Sequence, residues 1–483
     1  MDQASSEKPN PIYVDLDGTL LKSDLLLESL AVLAKTHTFM LILVPFWLLF
    51  GKANLKAKIA SRAEIDIKSL PYNSKLLEYL TEKNNEGHRL ILASASNEKY
   101  VAAVSRFLGI FDVYLASSHS TNLSGQHKLS AIQMDCGSSA FSYAGNDSVD
   151  LPIWSAADTA IVVTGSKALV ERVKAVTEVT RVFVHDHKSV LQFIRALRPH
   201  QWSKNFLVFL PLVAAHRLDD TTLISHSVIA FIAFSLCASS VYLLNDMLDL
   251  ASDRSHVRKR YRPFAAGSLS LSYGFLGAPL LLLIAFSLAL TLPPAFIAVL
   301  AGYYVITLAY SFQIKRVIVL DVLTLAGLYT LRLVSGAAAT SVDLSFWLLA
   351  FSMFLFLSLA LLKRCSELLA LRGEGKSDAH GRGYFSTDYQ VLNQLGVSSG
   401  LVSVLVLALY INSDKIAELY AEPRFIWLLC PIVLYWIGRI WVKANRGEVH
   451  EDPIVFAAKD RRTYWLVLIS ALVVWLATGF PIA

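Results

Sequence analysis

The strongest constraint on this chain is a series of long apolar runs that begins after residue 206. Most are about 17–25 residues long, enough for a helix to cross a bilayer. Hydrophobic residues make up 54% of the chain and the mean hydropathy is +0.49, which exclude a disordered, collagenous or nucleic-acid-binding chain. The sequence predicts an all-α polytopic domain of about nine crossings, at 204–217, 222–244, 271–291, 294–312, 317–340, 344–362, 397–412, 425–442 and 463–480.

The residues before these runs have a different pattern. Short apolar runs alternate with polar helical stretches, which predicts a soluble α/β domain over 1–190 and a membrane domain over 191–483. Lys and Arg concentrate in alternate connections of the membrane part, about 20 on one side and about 3 on the other. Because positively charged loops stay in the cytosol, we expect a multi-pass protein of the inner (cytoplasmic) membrane, with the soluble domain and the active sites on the cytosolic side.

Charge and cysteine content define no partner by themselves. The chain carries 44 Lys and Arg against 38 Asp and Glu, a net charge of +6, so the position of the cations matters more than their number. The four cysteines form no CxxC pair and lie far apart, so we expect neither a disulfide scaffold nor a zinc site. The first ten residues are polar, and no cleavable signal is expected there.

Polar side chains follow the apolar strands of the soluble part. The stretch PIYVDLDGTL is a predicted strand that ends in Asp15 and Asp17, before a Gly-Thr turn. A second apolar strand ends in Ser94, and a third is followed by Asp147 and Asp150. Because active sites of parallel sheets lie at the carboxyl ends of the strands, these residues predict a site at that edge.

Together with Lys128 in GQHKLSAI, these motifs resemble the haloacid dehalogenase superfamily of phosphatases over about residues 10–165. The resemblance implies a Rossmann-like fold in which Asp15 is the nucleophile that forms an aspartyl-phosphate and Asp17 is the general acid and base. Ser94 and Lys128 would hold phosphoryl oxygens. An inactive or regulatory copy of the fold is the alternative. The implied Mg²⁺ ligands are Asp15, Asp17, Asp147 and Asp150.

An apolar stretch, FMLILVPFWLLF at residues 39–50, separates the first two motifs. It is too short to span a bilayer and contains Pro45. We interpret it as an interfacial segment or as an ordinary buried cap helix. Either one would allow the soluble domain to dock against the membrane.

A second acidic set closes the second predicted crossing, in NDMLDLASDRSHVRKRYRPFAAG. Asp246, Asp249 and Asp253 are spaced i, i+3 and i+7, which places all three on one helix face with Asn245 beside them. Carboxylates so close repel unless a cation lies among them, and Mg²⁺ bridging to a diphosphate satisfies this need. The cations that follow can bind the remaining phosphate oxygens, and they are Arg254, Arg258, Lys259, Arg260 and Arg262.

These motifs resemble the UbiA superfamily of intramembrane prenyltransferases over about residues 195–480. Within it, LRPHQWSKN, YSFQIKR and LLKRCSEL are most similar to the branch that places phosphoribose on a polyprenyl phosphate. Typical members carry a second DxxxD motif, which the loop KRCSELLALRGEGKSDAHGRGYF lacks. Asp321 and Arg332 lie in the predicted fifth crossing, where ionisable groups usually face a cavity or a partner. Further candidates for binding substrate are Lys204, Tyr310, Lys315, Lys363, Arg364, Glu367 and Arg382.

A cationic loop without the second acidic motif suits one metal-bridged pyrophosphate donor and a second anionic substrate. We therefore expect a Mg²⁺-dependent transferase that moves phosphoribose from phosphoribosyl pyrophosphate to a lipid-linked isoprenoid, a polyprenyl phosphate, with a phosphatase-like domain that acts on the product. The alternative is transfer of an isoprenoid from a prenyl diphosphate donor to an aromatic acceptor, with a regulatory soluble domain. Transport is disfavoured because the charged residues gather at one membrane face.

Overall fold

The computed structural model describes residues 9–184, 189–373, 383–413, 420–449 and 453–478. The chain forms two compact units. The first unit comprises Met1–Leu197 and Tyr242–Pro279, and the second comprises Arg198–Val241 and Leu280–Ala483. The domain boundary predicted at residue 190 stays a prediction. By packing, however, the segment 242–279, which carries the second acidic set, belongs with the N-terminal part.

A parallel sheet of six strands forms the core of the first unit. The strands are β1 Ile12–Val14, β2 Leu90–Asn97, β3 Val113–Ser117, β4 Ser142–Gly145, β5 Thr159–Val163 and β6 Glu178–Phe183. Their order across the sheet is β3-β2-β1-β4-β5-β6, which confirms the predicted α/β class. The direction of winding reverses between β1 and β4, and ligands of open α/β sheets bind in the crevice at the carboxyl ends of such strands.

Side chains of the central strands alternate between the two faces of the sheet. Ile12 and Val14 of β1 pack into one hydrophobic core, and Tyr13 between them packs into the other. All three are buried. A strand covered on both faces has room for polar chemistry only where it ends, which is why the candidate residues follow the strands.

Helices connect the strands of the N-terminal part. Asp24 accepts hydrogen bonds from the backbone N–H groups of Leu26 and Leu27, so the first helix begins a few residues after the DGT turn. The α-helices are Leu25–Thr36, Val44–Leu49, Lys52–Ala60, Ser74–Asn85, Glu98–Leu108, Gln126–Cys136, Leu151–Ala156, Lys167–Lys174 and Ser189–Ala196. Short 3-10 helices lie at Thr38–Leu43, Ile67–Ser69 and Ser148–Asp150.

Seven helices in the described part of the chain are long and apolar enough to cross a membrane, fewer than the nine expected. They are Thr221–Leu248, Leu271–Ala289, Pro294–Phe312, Leu320–Thr340, Phe346–Gly373, Ser386–Ile411 and Pro423–Asn445. The predicted crossing at 204–217 falls instead on a 3-10 helix, Pro199–Phe209, and a five-residue α-helix, Leu210–Ala214. The last predicted crossing forms a helix of 17 residues, Arg461–Ala477.

The remaining short helices are Leu250–Ser255 and Pro453–Lys459, with 3-10 turns at Lys259–Tyr261 and Ile314–Arg316.

Helix Phe346–Gly373 lies at the centre of the core of the second unit. The Ser358 hydroxyl donates to the carbonyl oxygen of Gly396 at 2.7 Å and accepts from the Trp441 indole at 3.0 Å. A Cβ at Gly396 would lie 2.3 Å from the Trp441 ring, so only glycine allows this approach. Small residues at helix contacts are typical of packing in membranes, where close approach replaces the hydrophobic effect as the stabilising term.

Candidate active sites

The first candidate site lies at the carboxyl ends of β1 and β4. Lys128 extends from helix Gln126–Cys136, and its Nζ lies 2.7 Å from Asp15 Oδ1 and 3.7 Å from Asp150 Oδ1. The Tyr143 hydroxyl lies 3.1 Å from the same ammonium and donates to Asp150 at 2.9 Å. All four side chains are buried. One ammonium therefore holds two carboxylates at the end of the sheet.

Burial and charge shift the pKa values at this site in opposite directions. Burial opposes the charge of Lys128, but the carboxylates of Asp15 and Asp150 outweigh it and raise the pKa of the ammonium. Burial, reinforced by the negative charge of Asp15, raises the pKa of Asp150 to about 6. Lys128 therefore stays charged, while Asp150 gives up its proton less readily than an ordinary carboxyl.

Asp17 lies on the turn after β1 and is fixed by two donors. One carboxylate oxygen accepts from the Leu25 backbone N–H at 2.9 Å, and the other accepts from the Ser96 hydroxyl at 2.5 Å. Burial, and the charges of Asp24 and Asp15, raise the pKa of Asp17 to about 7. A carboxyl that exchanges its proton near neutrality suits a general acid and base.

The other residues predicted at this site have varied settings. Ser94 is fully buried, and its hydroxyl accepts from the Ser96 backbone N–H at 3.0 Å. Asp147 is exposed and caps the short helix after β4 by accepting from Val149. Gly18 (φ +76°) lies so close to Asn146 that a Cβ there would come within 2.2 Å of its side chain.

Lys56 is a cation at this site that the sequence did not predict. Its Nζ donates to the Ala95 carbonyl at 2.5 Å and to Asn122 Oδ1 at 3.0 Å. Burial lowers its pKa, and the carboxylate of Asp17 opposes this shift, so the two groups are within electrostatic range. No local motif marks Lys56, because it reaches the site from helix Lys52–Ala60, far from the strand ends in sequence.

The second candidate site lies where helix Thr221–Leu248 ends. One guanidinium nitrogen of Arg262, Nη1, lies 3.0 Å from Asp246 Oδ1 and 2.6 Å from Asp253 Oδ2. Both carboxylates are buried, and burial raises the pKa of Asp253 although Arg262 opposes the shift. The i and i+7 pair thus shares one cation.

Asp249 departs from the predicted arrangement of three carboxylates on one helix face. The helix breaks at this residue (φ −105°, ψ 17°), and the next helix starts at Leu250. Its carboxylate pairs with Lys35 at 3.0 Å, on the helix that follows the DGT turn. The expectation that one cation site would collect all three acids is therefore replaced by a pair on Arg262 and a separate contact to Lys35.

Arg254 joins the acidic segment to the N-terminal part of the first unit. Its guanidinium makes a bidentate ion pair with Glu28, at 3.1 and 2.5 Å, and its Nε donates to the Ala265 carbonyl at 3.0 Å. Both charged side chains are buried. Gly267 (φ +67°) supports the same junction, since a Cβ there would lie 2.6 Å from Lys22. No sequence pattern predicted the contact between Glu28 and Arg254, which are 226 positions apart.

The other predicted residues of this segment are more open. Asn245 is half-buried, and its carbonyl accepts from the Asp249 N–H. Arg258 is exposed and Lys259 is half-buried. These cations therefore remain accessible to an anionic ligand.

A third cluster of charges lies within the second unit. Arg364, fully buried, lies 2.7 Å from Asp321 Oδ2 and also pairs with Glu367. The Tyr384 hydroxyl donates to Asp321 at 2.5 Å. Tyr310 is near enough to interact electrostatically with this cluster and with Lys363. The structure thus brings together Tyr310, Lys363, Arg364 and Glu367 of the predicted set, and adds Asp321 and Tyr384.

The remaining predicted residues are placed elsewhere. Lys204 is buried with its Nζ 5.6 Å from the centre of the Tyr329 ring. Lys315 lies on the 3-10 turn Ile314–Arg316. Arg382 falls outside the described residues. Arg332 is buried and donates to Asn205 Oδ1 at 2.9 Å and the Leu328 carbonyl at 2.6 Å, which gives it a packing role.

The carboxylates fit Mg²⁺ only if phosphate completes its coordination. Among the described residues, no group of three or more His, Cys, Asp or Glu side chains is arranged to hold a metal ion. Mg²⁺ in phosphoryl-transfer sites is usually bound by one or two carboxylates together with substrate phosphates and water. Pairs of acids around a cation, as at Asp15 and Asp150 or at Asp246 and Asp253, fit that pattern.

Comparison with known proteins identifies the membrane part. Residues 206–368 match the model of the UbiA prenyltransferase family. The decaprenyl-phosphate phosphoribosyltransferase of Mycolicibacterium smegmatis is 36% identical over 292 residues, 59% of this chain and 90% of that protein. The protein is therefore a multi-pass membrane transferase. It belongs to the UbiA prenyltransferase family.

Other relatives extend the likeness. An uncharacterized protein of Sinorhizobium fredii is 35% identical over 470 residues, which cover 97% of this chain and 90% of that protein. A solved UbiA homologue from Archaeoglobus fulgidus, bound to GPP and Mg²⁺, is 15% identical with a TM-score of 0.45, and covers 60% of this chain and all of that one. The Sinorhizobium protein therefore matches both the sheet domain and the membrane part.

Proposed function

We propose that the membrane part transfers phosphoribose from phosphoribosyl pyrophosphate to a polyprenyl phosphate. The observation that carries this proposal is the 36% identity over 90% of a decaprenyl-phosphate phosphoribosyltransferase. The charge pattern supports it, since the end of helix Phe346–Gly373, residues 361–373, contains a single acid, Glu367, among Lys363, Arg364 and Arg372. A helix end of this composition favours two anionic substrates. The distribution of Lys and Arg supports a cytosolic position for the sites.

The acidic helix end would bind the donor. Asp246 and Asp253 would hold Mg²⁺ in place of Arg262 when the donor binds. Asp249 would join them only on release from Lys35. The metal neutralises the pyrophosphate when it is bound and so assists its departure. The accessible Arg258 and Lys259 would contact phosphate oxygens. The lipid phosphate oxygen forms a bond to the anomeric carbon as the bond from that carbon to pyrophosphate breaks. Since this oxygen is already ionised, no strong base is needed.

In the second unit, the half-buried Lys363 and Tyr310 would contact an anionic group of a substrate. Arg364 is fully buried and paired with Asp321 and Glu367, so it would position these neighbours and not bind the substrate itself. A cluster fixed in this way needs little reorganisation during the reaction.

The sheet domain would act as a phosphatase. An Asp15 oxygen attacks phosphorus while Asp17 donates its proton to the leaving alkoxide, and water then hydrolyses the aspartyl-phosphate as Asp17 takes back a proton. Lys128 would reduce the repulsion between Asp15 and the phosphate. Its substrate would be the lipid-linked phosphoribose that the membrane part makes, because one chain raises the local concentration of the second site.

A pair of substrate assays tests the transfer reaction. The full chain in lipid nanodiscs is given labelled phosphoribosyl pyrophosphate with polyprenyl phosphate, or prenyl diphosphate with an aromatic acid. We expect a labelled lipid only from the first pair, and its loss with Asp246→Asn but not with the exposed control Asp219→Asn. Product only from the second pair would establish the rival reaction, which the name of the matching family favours.

Accumulation of intermediate tests the phosphatase. Asp15→Asn should accumulate lipid-linked phosphoribose 5-phosphate, whereas the wild type releases phosphate. Asp158→Asn is the matched control, because Asp158 is an exposed acid of the same domain that precedes β5, at the opposite end of the sheet. Equal amounts of phosphorylated lipid in Asp15→Asn and wild type would contradict the sequential reaction and leave the transfer reaction standing.

A further inference from the structure

The apolar segment Phe39–Phe50 has two different faces. It forms a 3-10 helix, Thr38–Leu43, followed by a short α-helix, Val44–Leu49. Its inner face packs on a small core that includes Leu33 and Ile59 of the neighbouring helices. The side chains of this inner face are Met40, Leu41, Val44 and Trp47. The segment is therefore folded onto the domain and has a defined orientation.

Its outer face is apolar and exposed. Phe39 is 88% exposed, Leu49 82% and Phe50 78%, with Ile42 and Phe46 also largely uncovered. A contiguous set of large apolar side chains of this kind marks a surface that binds a partner or a membrane. The expectation of a buried cap helix therefore describes only one of the two faces.

The charges near this segment in sequence are of one sign, since residues 29–63 contain no Asp or Glu. Lys35 pairs with Asp249, and Lys56 lies at the sheet site. The other cations of residues 29–63 are Lys52, Lys58 and Arg62. A cavity of about 490 Å³ adjoins the outer face and is lined by both aromatic and cationic side chains, including Trp47, Phe50, Lys58 and His119. Apolar side chains with cations beside them suit the boundary between acyl chains and anionic lipid head groups.

We propose that the outer face of Phe39–Phe50 inserts into the head-group and acyl boundary of an anionic lipid leaflet. The chain is a multi-pass membrane protein, so a leaflet is always within reach. A second copy of the chain is a poorer occupant, because symmetric pairing would bring the same cations together with no acid in the segment to neutralise them. The inference does not depend on the reaction at either site.

Depth-dependent quenching tests the insertion. The four native cysteines are replaced, and Leu49→Cys carries an environment-sensitive fluorophore in the full chain, one copy per nanodisc. The matched control is Met134→Cys, since Met134 is 85% exposed on another helix of the same domain. With brominated phosphatidylglycerol we expect quenching at residue 49 at least about twofold stronger than at residue 134, because interfacial segments reach only about 5–10 Å into the lipid.

Each outcome decides the proposal. Replacement of brominated phosphatidylglycerol by brominated phosphatidylcholine should weaken the quenching at residue 49. A fluorophore placed at Phe39→Cys in a separate variant should show the same quenching as the one at residue 49. Equal quenching at residues 49 and 134 would overturn the insertion. So would a fluorophore at residue 49 that is shielded from water but not quenched by bromine, since protein would then cover the face.

Discussion

Two acidic sites in the first unit each neutralise a pair of buried carboxylates with one cation, but the two cations differ in exposure. At the end of the sheet, Lys128 holds Asp15 and Asp150, and its side chain is 4% exposed. At the end of helix Thr221–Leu248, Arg262 holds Asp246 and Asp253, and its side chain is 28% exposed. Each site places one cation between two buried carboxylates.

Because their side chains differ in exposure, we expect Lys128 to be a fixed cation and Arg262 to be a replaceable one. A buried ammonium between carboxylates cannot leave without uncovering two charges in a region of low dielectric constant. A guanidinium that still touches water can swing away when another cation enters, because water takes over its solvation. We therefore expect the sheet site to keep Lys128 in every state, and the helix site to exchange the Arg262 contacts for a metal-bound diphosphate.

The largest effect is expected from Lys128→Met. It leaves Asp15 and Asp150 buried without their cation, and breaking a buried pair in this way costs about 3–5 kcal/mol. The thermal midpoint of the full chain in detergent should fall, and hydrogen exchange of β1 and β4 should rise.

Two further variants sharpen the result. Lys128→Met with Asp150→Asn should recover part of the stability, because one of the two carboxylates is then neutral, and none of the proposed phosphatase activity. Lys128→Arg should also lose the proposed phosphatase activity, since the larger guanidinium does not fit a buried site between Asp15 and Tyr143. Full activity of the arginine variant would contradict a fixed, closely packed cation.

Glu28→Gln is expected to come next in size. It removes the charge that neutralises buried Arg254, and truncating one partner of a buried charge pair typically costs about 2–5 kcal/mol. We expect a lower thermal midpoint and faster hydrogen exchange across residues 249–267.

Glu64→Gln provides the control, because Glu64 pairs with Lys99 while its side chain is 86% exposed. It should change the free energy of unfolding by less than about 0.5 kcal/mol. If the two variants are equally stable, the Arg254 contact does not hold the acidic segment to the sheet domain.

The sequence predicted those parts of the fold that follow from local patterns. Apolar runs that end in polar residues predicted the parallel sheet, and the long apolar runs predicted a multi-pass protein. Both predictions are confirmed. Asp246 and Asp253 share Arg262 although the helix breaks between them at Asp249, so the spacing of seven residues does not account for the contact. The segment predicted as a crossing at 204–217 forms a 3-10 helix and a five-residue α-helix, and it is not among the seven long apolar helices of the described chain. A run of apolar residues does not report where an α-helix begins.

Contacts between distant parts of the chain could not be predicted. Glu28 and Arg254 have no periodic or local relation, and Lys56 reaches its site only because of the path of the chain between β1 and β2. The break at Asp249, which turns that carboxylate toward Lys35, likewise depends on a tertiary partner. Without knowledge of packing, the three acids are equivalent.

Arg262 should tolerate a change that Lys128 does not. A single nitrogen of Arg262 contacts both carboxylates, so Arg262→Lys can supply a similar point charge. We expect Arg262→Lys to keep near wild-type stability, and Arg262→Gln to lose about 1–3 kcal/mol because two buried acceptors lose a charged donor.

Magnesium gives a second measurement at this site. With pyrophosphate present, MgCl₂ should raise the thermal midpoint of Arg262→Gln more than that of the wild type, because a ligand that binds only the folded state stabilises it. The matched control is Arg217→Gln, which removes an exposed cation elsewhere in the chain. An identical response of wild type and Arg262→Gln would show that Arg262 and the metal do not occupy the same place.

Lys35→Met should have the smallest effect on stability. The pair it forms with Asp249 is 38% and 28% exposed, and such pairs contribute up to about 1 kcal/mol. The thermal midpoint should stay within error of the wild type. With pyrophosphate present, the MgCl₂ concentration that gives half of the stabilisation should fall by up to about fivefold, because the ammonium no longer competes for this carboxylate. Lys83→Met, which breaks a surface pair with Glu86, should leave that concentration unchanged.

A fall in the thermal midpoint of Lys35→Met by several degrees would instead make Lys35 a structural residue, and the contrast between fixed and replaceable cations would then not extend to Asp249.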